Sequence, residues 1–288
     1  MKIALCLFGL YSGTKHNRLV GDKYGDFKIS ENWYNGDLGI KNFYEQLNVG
    51  NEIDFFVHTW DKNYKNEIIK KCNPVRYIIG DNYIIKNNKL GLCSKSKLEN
   101  RLSCFYSRFK VNELRKKYQE ENKIEYDFII VSRFDLLIYA NNLDKLEKNK
   151  LYTDFYMPQK IKFPKCLKKE HTKDFWDKKW YPGSIWISSN SDYINKICNI
   201  FDFFEKDYDN YISYFQNTKF SPHKQYGLFI KKQLKETDIL VLKPDIIMVF
   251  IIRYYKEHVK YYVKYMKKRK KKIKDKVKFE KFVKNYNI

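Results

Sequence analysis

Two charges stand inside an apolar run in "YDFIIVSRFDLLIY", residues 126–139: Arg133 and Asp135. An unpaired charge in an apolar interior is costly, so such groups pair, neutralise or face something that is not protein. Residues two apart on a strand project to one side. The guanidinium and the carboxylate can therefore pair with each other or act together on a ligand. A carboxylate at the carboxyl end of a strand can hold a divalent cation, a hard ion that takes oxygen ligands and shares them with phosphates. An arginine beside it can add a charge-assisted bond to phosphate. The spacing alone leaves the internal Arg–Asp pair open.

Two further segments carry polar groups at the end of an apolar run. In "DFFVHTWD", residues 54–61, the group is His58, Thr59, Trp60 and Asp61. A histidine in such a place is more often structural than functional, and Trp60 can simply cap a core. In "LFGLYSGTKHNR", residues 7–18, Gly9 permits close backbone approach to a ligand. Tyr11 could stack on a base there, and Lys15 and Arg18 could reach phosphates. The loop matches neither common glycine-rich phosphate pattern.

These segments need elements to hold them. Lys2–Phe8 and Ile53–Thr59 are continuous apolar runs, the pattern of strands covered on both faces. Pro74–Ile79, Phe128–Val131, Leu151–Met157, Ser184–Ser188 and Ile239–Leu242 read as further strands. Leu98, Leu102, Phe105, Phe109, Val111, Leu114 and Tyr118 recur at helical spacing and predict one long helix over 95–122. Shorter helices are expected at 40–47, 63–71, 192–205 and 223–235, the third of these capped at or near Ser191. Residues 11–38 read as an irregular segment. Strands alternating with helices imply an α/β domain with a mainly parallel sheet over residues 1–252. Residues 253–288 form a separate basic tail.

Composition excludes several classes. Charged residues are 32% of the 288, and no run approaches the roughly 18–20 apolar residues of a spanning helix. The opening "MKIALCLFGLYSG" reads as a first strand and turn rather than a signal peptide, which points to a cytoplasmic protein. The six cysteines form no metal-binding pairs and are too sparse for a disulfide scaffold, so buried free thiols are expected. The net charge is +23, and residues 253–284 hold 15 Lys/Arg against three acids, a net +12. A stripe of Tyr255, Val259, Tyr262, Met266, Ile273 and Val277 runs through those lysines. The tail suits a solvated basic helix or a peripheral helix on anionic membrane. Nucleic acid is the less favoured partner, because no nucleic-acid motif accompanies the charge.

Four segments in order, "MKIALCLFGLYSG", "DFFVHTWD", "FYSRFKVNELRKKYQE" and "YDFIIVSRFDLLIY", resemble a family of glycosyltransferases of bacterial surface-polysaccharide clusters and large DNA viruses. The likeness spans roughly residues 1–240. It implies a single glycosyltransferase A-like domain that moves a sugar from a UDP-, GDP- or dTDP-sugar to a hydroxyl of a glycan, glycolipid, glycoprotein or lipid-linked acceptor. By that resemblance Asp135 holds Mn2+ or Mg2+ on the donor diphosphate and Arg133 steadies phosphate or sugar. Phe8, Gly9 and Tyr11 cradle the nucleotide, with His58, Thr59 and Trp60 at the pocket's border. Tyr106, Ser107 and Lys110 face it from a helix. The sequence departs from the family at two acids: Pro182 or Gly183 stands before "GSIWISS", and Gln225 stands where Pro-Glu is usual. Asp174, Asp177 and His223 are the substitutes to consider as base. The two losses keep open a catalytically degenerate scaffold, and the charge keeps open a nucleic-acid-binding protein.

Overall fold

The computed structural model describes residues 1–13, 34–80, 95–140, 143–155, 182–202, 222–242, 247–251 and 276–285. The chain begins with β1 (Lys2–Phe8), the two-residue strands β2 (Ser12–Gly13) and β3 (Tyr34–Asn35), α1 (Gly36–Leu47), β4 (Glu52–Thr59), α2 (Lys65–Cys72) and β5 (Arg76–Ile79). The long α3 (Lys95–Asn122) leads to β6 (Phe128–Arg133), β7 (Leu136–Ala140), β8 (Leu151–Phe155) and β9 (Pro182–Ser188). Then come α4 (Ser191–Cys198), α5 (Pro222–Gln233), β10 (Ile239–Val241), β11 (Ile247–Ile251) and α6 (Lys276–Asn285).

Seven strands form one sheet in the order β10-β8-β9-β6-β1-β4-β5. Only β9 runs against its neighbours. This is the mixed α/β, mostly parallel sheet expected from the sequence. The continuous apolar strands follow from two covered faces. Ala4, Cys6 and Phe8 of β1 join one core cluster with Leu102 and Phe105 of α3. Ile3, Leu5 and Leu7 join another with Ile40, Phe43 and Leu47 of α1 and Ile68 of α2.

Two features differ from the sequence reading for physical reasons. The first helix starts at Gly36, not Ile40, because its glycines serve packing rather than a loop. A Cβ on Gly36 would lie 2.6 Å from the Tyr11 carbonyl oxygen, and one on Gly39 would lie 1.8 Å from that of Phe134. The cap of α4 is Asn190, next to Ser191 as expected; its side chain accepts from the backbone N–H groups of Asp192 and Tyr193. Finally, Arg133 and Asp135 do not share a strand. β6 ends at Arg133, the chain turns at Phe134–Asp135, and β7 leaves the main sheet to pair antiparallel with β11.

The last described helix belongs to the folded body. Phe279 and Phe282 of α6 are each 4% exposed. Their rings both lie 5.2 Å from that of Tyr139 on β7. Residues 252–275, which hold most of the basic stripe, lie outside the described residues. Among the described residues no helix is long and apolar enough to cross a membrane.

Candidate functional site

Strand register assembles the carboxyl edge of the sheet. Phe8 pairs with His58 on one side and with Arg133 on the other. Adjacent strands are about 4.8 Å apart, so the His58 and Arg133 backbones stand roughly 10 Å from each other. By alternation all three share the face covered by α3, since Cys6, Phe56 and Val131, two residues earlier on each strand, sit in that core. Gly9 follows with φ +96, a left-handed conformation that favours glycine, and its N–H donates to the His58 carbonyl at 3.2 Å. A Cβ at Gly9 would meet no described atom within 4 Å.

The helix α3 completes this face. The His58 Nδ1 and the Ser107 hydroxyl share a 2.9 Å hydrogen bond, and the Tyr106 ring meets the imidazole edge-on at 5.5 Å. Burial pushes the His58 imidazole down to about 4, and the nearby Lys110 ammonium adds to the shift. His58 is therefore neutral at pH 7. The Lys110 Nζ lies 5.4 Å from the centre of the Tyr106 ring. One residue beyond Ser107, the Arg108 guanidinium is sandwiched between Phe8 at 4.7 Å and Trp186 at 4.0 Å. Cation–π attraction of this kind is strongest where the charge is desolvated. A further buried arginine on α3, Arg115, is held by Asn112, Gln119, Ser191 and Asn195 and ties α3 to α4.

At the β6–β7 turn the Arg133 Nη2 donates to the Asp135 Oδ2. The side chains are 21% and 2% exposed, so the arginine is the partner that reaches solvent. The turn is held from behind. Phe134 is fully buried with its ring edge-on to Tyr11 at 5.7 Å. Gly39 presses on the Phe134 carbonyl. The Asn42 amide donates to the Ile138 carbonyl at 3.1 Å and accepts from the Ile138 N–H at 2.6 Å. In this way α1 clamps the start of β7.

The described residues at this turn do not fit a divalent cation. Such an ion takes several hard oxygens. The turn offers one buried carboxylate, with an oxygen already engaged by a guanidinium whose charge would repel a second cation. Among the described residues no three His, Cys, Asp or Glu side chains come together as a metal-holding group.

The other expected residues take varied places. Tyr11 is 3% exposed, and its ring packs on Tyr64 and Phe134. Its hydroxyl bonds to Asp37 and Glu67, and its N–H donates to Asp61 Oδ2. The ring is thus committed to the fold rather than displayed to a base. Thr59 is buried, and its hydroxyl accepts from the Asp61 N–H at 3.2 Å, fixing the Trp60 turn. Trp60 is half-buried. His223 lies in the first turn of α5. Arg18 and Asp177 lie outside the described residues, as do Lys15 and Asp174. The sequence reading missed Arg108, Gly39 and Asn42. Only the "YSRF" and "GDLG" stretches could have hinted at them, and neither says which face it turns inward.

No family model matches the chain, and no curated protein matches it. Among solved structures, it is similar to the apo form of the glycosyltransferase GlyE of Streptococcus pneumoniae TIGR4. The two are 7% identical with a TM-score of 0.36, over 92% of this chain and 50% of that one. The chain thus spans about half the length of that protein.

Proposed function

We propose that the protein is a glycosyltransferase that takes a sugar from a nucleoside-diphosphate donor. The observation that carries this reading is the His58–Phe8–Arg133 row at the carboxyl edge of a mostly parallel sheet, next to Gly9, where no described atom would meet a Cβ. Ligands of open α/β sheets gather at such an edge. The groups there suit an anionic donor: Arg133 and Lys110 bring positive charge, and neutral His58 with Ser107 offers hydrogen bonds to sugar or ribose hydroxyls.

In the reaction an acceptor hydroxyl attacks the anomeric carbon, and the bond from that carbon to the diphosphate oxygen breaks. The electron pair leaves with the nucleoside diphosphate, and a base takes the acceptor proton. Asp177 and His223 are the candidates for that base. The donor class is a UDP-, GDP- or dTDP-sugar, and the acceptor a glycan or a lipid-linked sugar. The lysine-rich residues 253–275 would bring the enzyme to an anionic membrane where such an acceptor resides.

Thermal unfolding against a panel of UDP-, GDP-, dTDP- and CMP-sugars tests the reading. A ligand that binds only the folded state raises the melting temperature. One nucleotide class is expected to shift it, with release of free nucleoside diphosphate when an acceptor is added. No shift with any sugar nucleotide would overturn the assignment and favour the degenerate scaffold.

A further inference from the structure

We infer that the donor diphosphate is held at this edge by side-chain cations without a divalent metal, and that Asp135 aligns Arg133 instead of coordinating an ion. This rests on the reading of the edge as a nucleotide-sugar site. Three independent features of the site lead to it.

The first is the state of the carboxylate. Asp135 is 1% exposed and its Oδ2 accepts from Arg133. A metal ion bound there would have to displace the guanidinium or sit beside it, and two like charges at close range repel strongly away from bulk water. The second is the supply of positive charge. Arg133 ends β6, Lys110 stands on the facing helix, and Arg108 is fixed behind the Phe8 ring. Arg133 and Lys110 bring to this edge the positive charge that a diphosphate requires. Burial chiefly depresses the basicity of His58, and the Lys110 ammonium is near enough to add to it. The third is donor geometry. A guanidinium carries five N–H donors in a planar fork, so it can hold a carboxylate on one edge and phosphate oxygens on another. Arg133 is the more exposed member of its pair, 21% against 2%.

In the reaction these cations would stabilise the negative charge that gathers on the departing diphosphate as the sugar–oxygen bond breaks, a role of fixed charges in place before the step. Asp135 is on this account a positioning residue. It holds the guanidinium in register with Phe8 and does not touch the donor.

The test is isothermal titration of the full chain with UDP, GDP and dTDP, in EDTA and again in Mn2+. Wild type is compared with Arg133→Lys, Arg133→Met, Lys110→Met and Asp135→Asn. One nucleoside diphosphate is expected to bind with the same affinity in EDTA and Mn2+. Arg133→Met should weaken it about tenfold or more, and Arg133→Lys by less, since lysine keeps the charge but loses the fork. Lys110→Met should weaken it several-fold. Asp135→Asn should weaken it less than Arg133→Met and leave the response to Mn2+ flat. Lys110 is partly exposed, so its variant carries the test if a change at the buried turn impairs folding. Binding that requires Mn2+ and vanishes in Asp135→Asn would overturn the inference while leaving the glycosyltransferase reading intact. Absence of nucleotide binding under either condition would overturn that reading, and the inference with it.

Discussion

At the scale of single residues, burial changes what His58 can do. Its imidazole, ordinarily near 6.5, is held at about 4, so the folded protein resists protonating it. In the unfolded chain it protonates below 6.5. Between pH 6.5 and 4 the unfolded state therefore binds more protons, and stability falls as pH falls across that window. The full loss is about 3 kcal/mol, at 1.36 kcal/mol per pH unit. Denaturant unfolding at pH 7, 5.5 and 4.5 measures it. A His58→Gln variant, which keeps a partner for Ser107 but cannot titrate, should lose that part of the slope. An unchanged slope would place His58 in contact with water. The thiols behave in the same spirit. Burial pushes Cys6, Cys72 and Cys198 up to about 12, so thiol reagents should label them in the native protein only as fast as it opens.

At the scale of elements, α1 and the β6–β7 turn form one unit. The Gly39 backbone lies against the Phe134 carbonyl, with no room for a side chain. Gly39→Ala must push the helix or the turn aside. Overpacking of this kind costs about 1–3 kcal/mol. The displaced turn should also weaken nucleotide binding, because Arg133 and Asp135 flank Phe134. Gly80→Ala is the control. A Cβ there meets nothing described within 4 Å, and the change should stay within about 0.5 kcal/mol. Equal melting temperatures for the two variants would show that α1 does not clamp the turn. The buried polar row of α3, with Ser107, Arg108 and Arg115, works differently: Arg115 ties the helix to α4, while Ser107 and Arg108 meet the sheet edge.

At the scale of the whole molecule, the C-terminal helix closes on the sheet formed by β7 and β11. Phe279 and Phe282 cover Tyr139, four residues after Asp135. Removing a buried phenylalanine ring costs about 3–5 kcal/mol where the site cannot collapse. Phe279→Ala and Phe282→Ala should each lower the melting temperature by several degrees, and no change would mean that α6 is not docked in solution. This docking also dictates how membrane contact should be probed. Truncation before residue 276 would remove part of the fold, so lysines within 253–274 should be neutralised instead. Vesicles containing anionic lipid are expected to sediment the wild-type chain and not the neutralised one.

Much of this was legible in the chain. The continuous apolar runs of β1 and β4 announced a sheet covered on both faces, because strands buried on one face alternate and these do not. The spacing of Leu102, Phe105 and Val111 announced α3. The three polar clusters at strand ends announced the edge on which a site could form. Tertiary structure alone decided what those clusters do. Register set Phe8 between His58 and Arg133, although more than 70 residues separate the last two. Packing turned Tyr11 inward, since Tyr64, Phe134 and two carboxylates surround it. It also put Gly36 and Gly39 into a helix, because a close backbone approach outweighed their weak helix propensity. Finally, it showed Arg133 and Asp135 paired across a turn. Sequence spacing fixes which residues are near along the chain, whereas charge pairing is set by distance in space, and the turn after β6 supplies that distance.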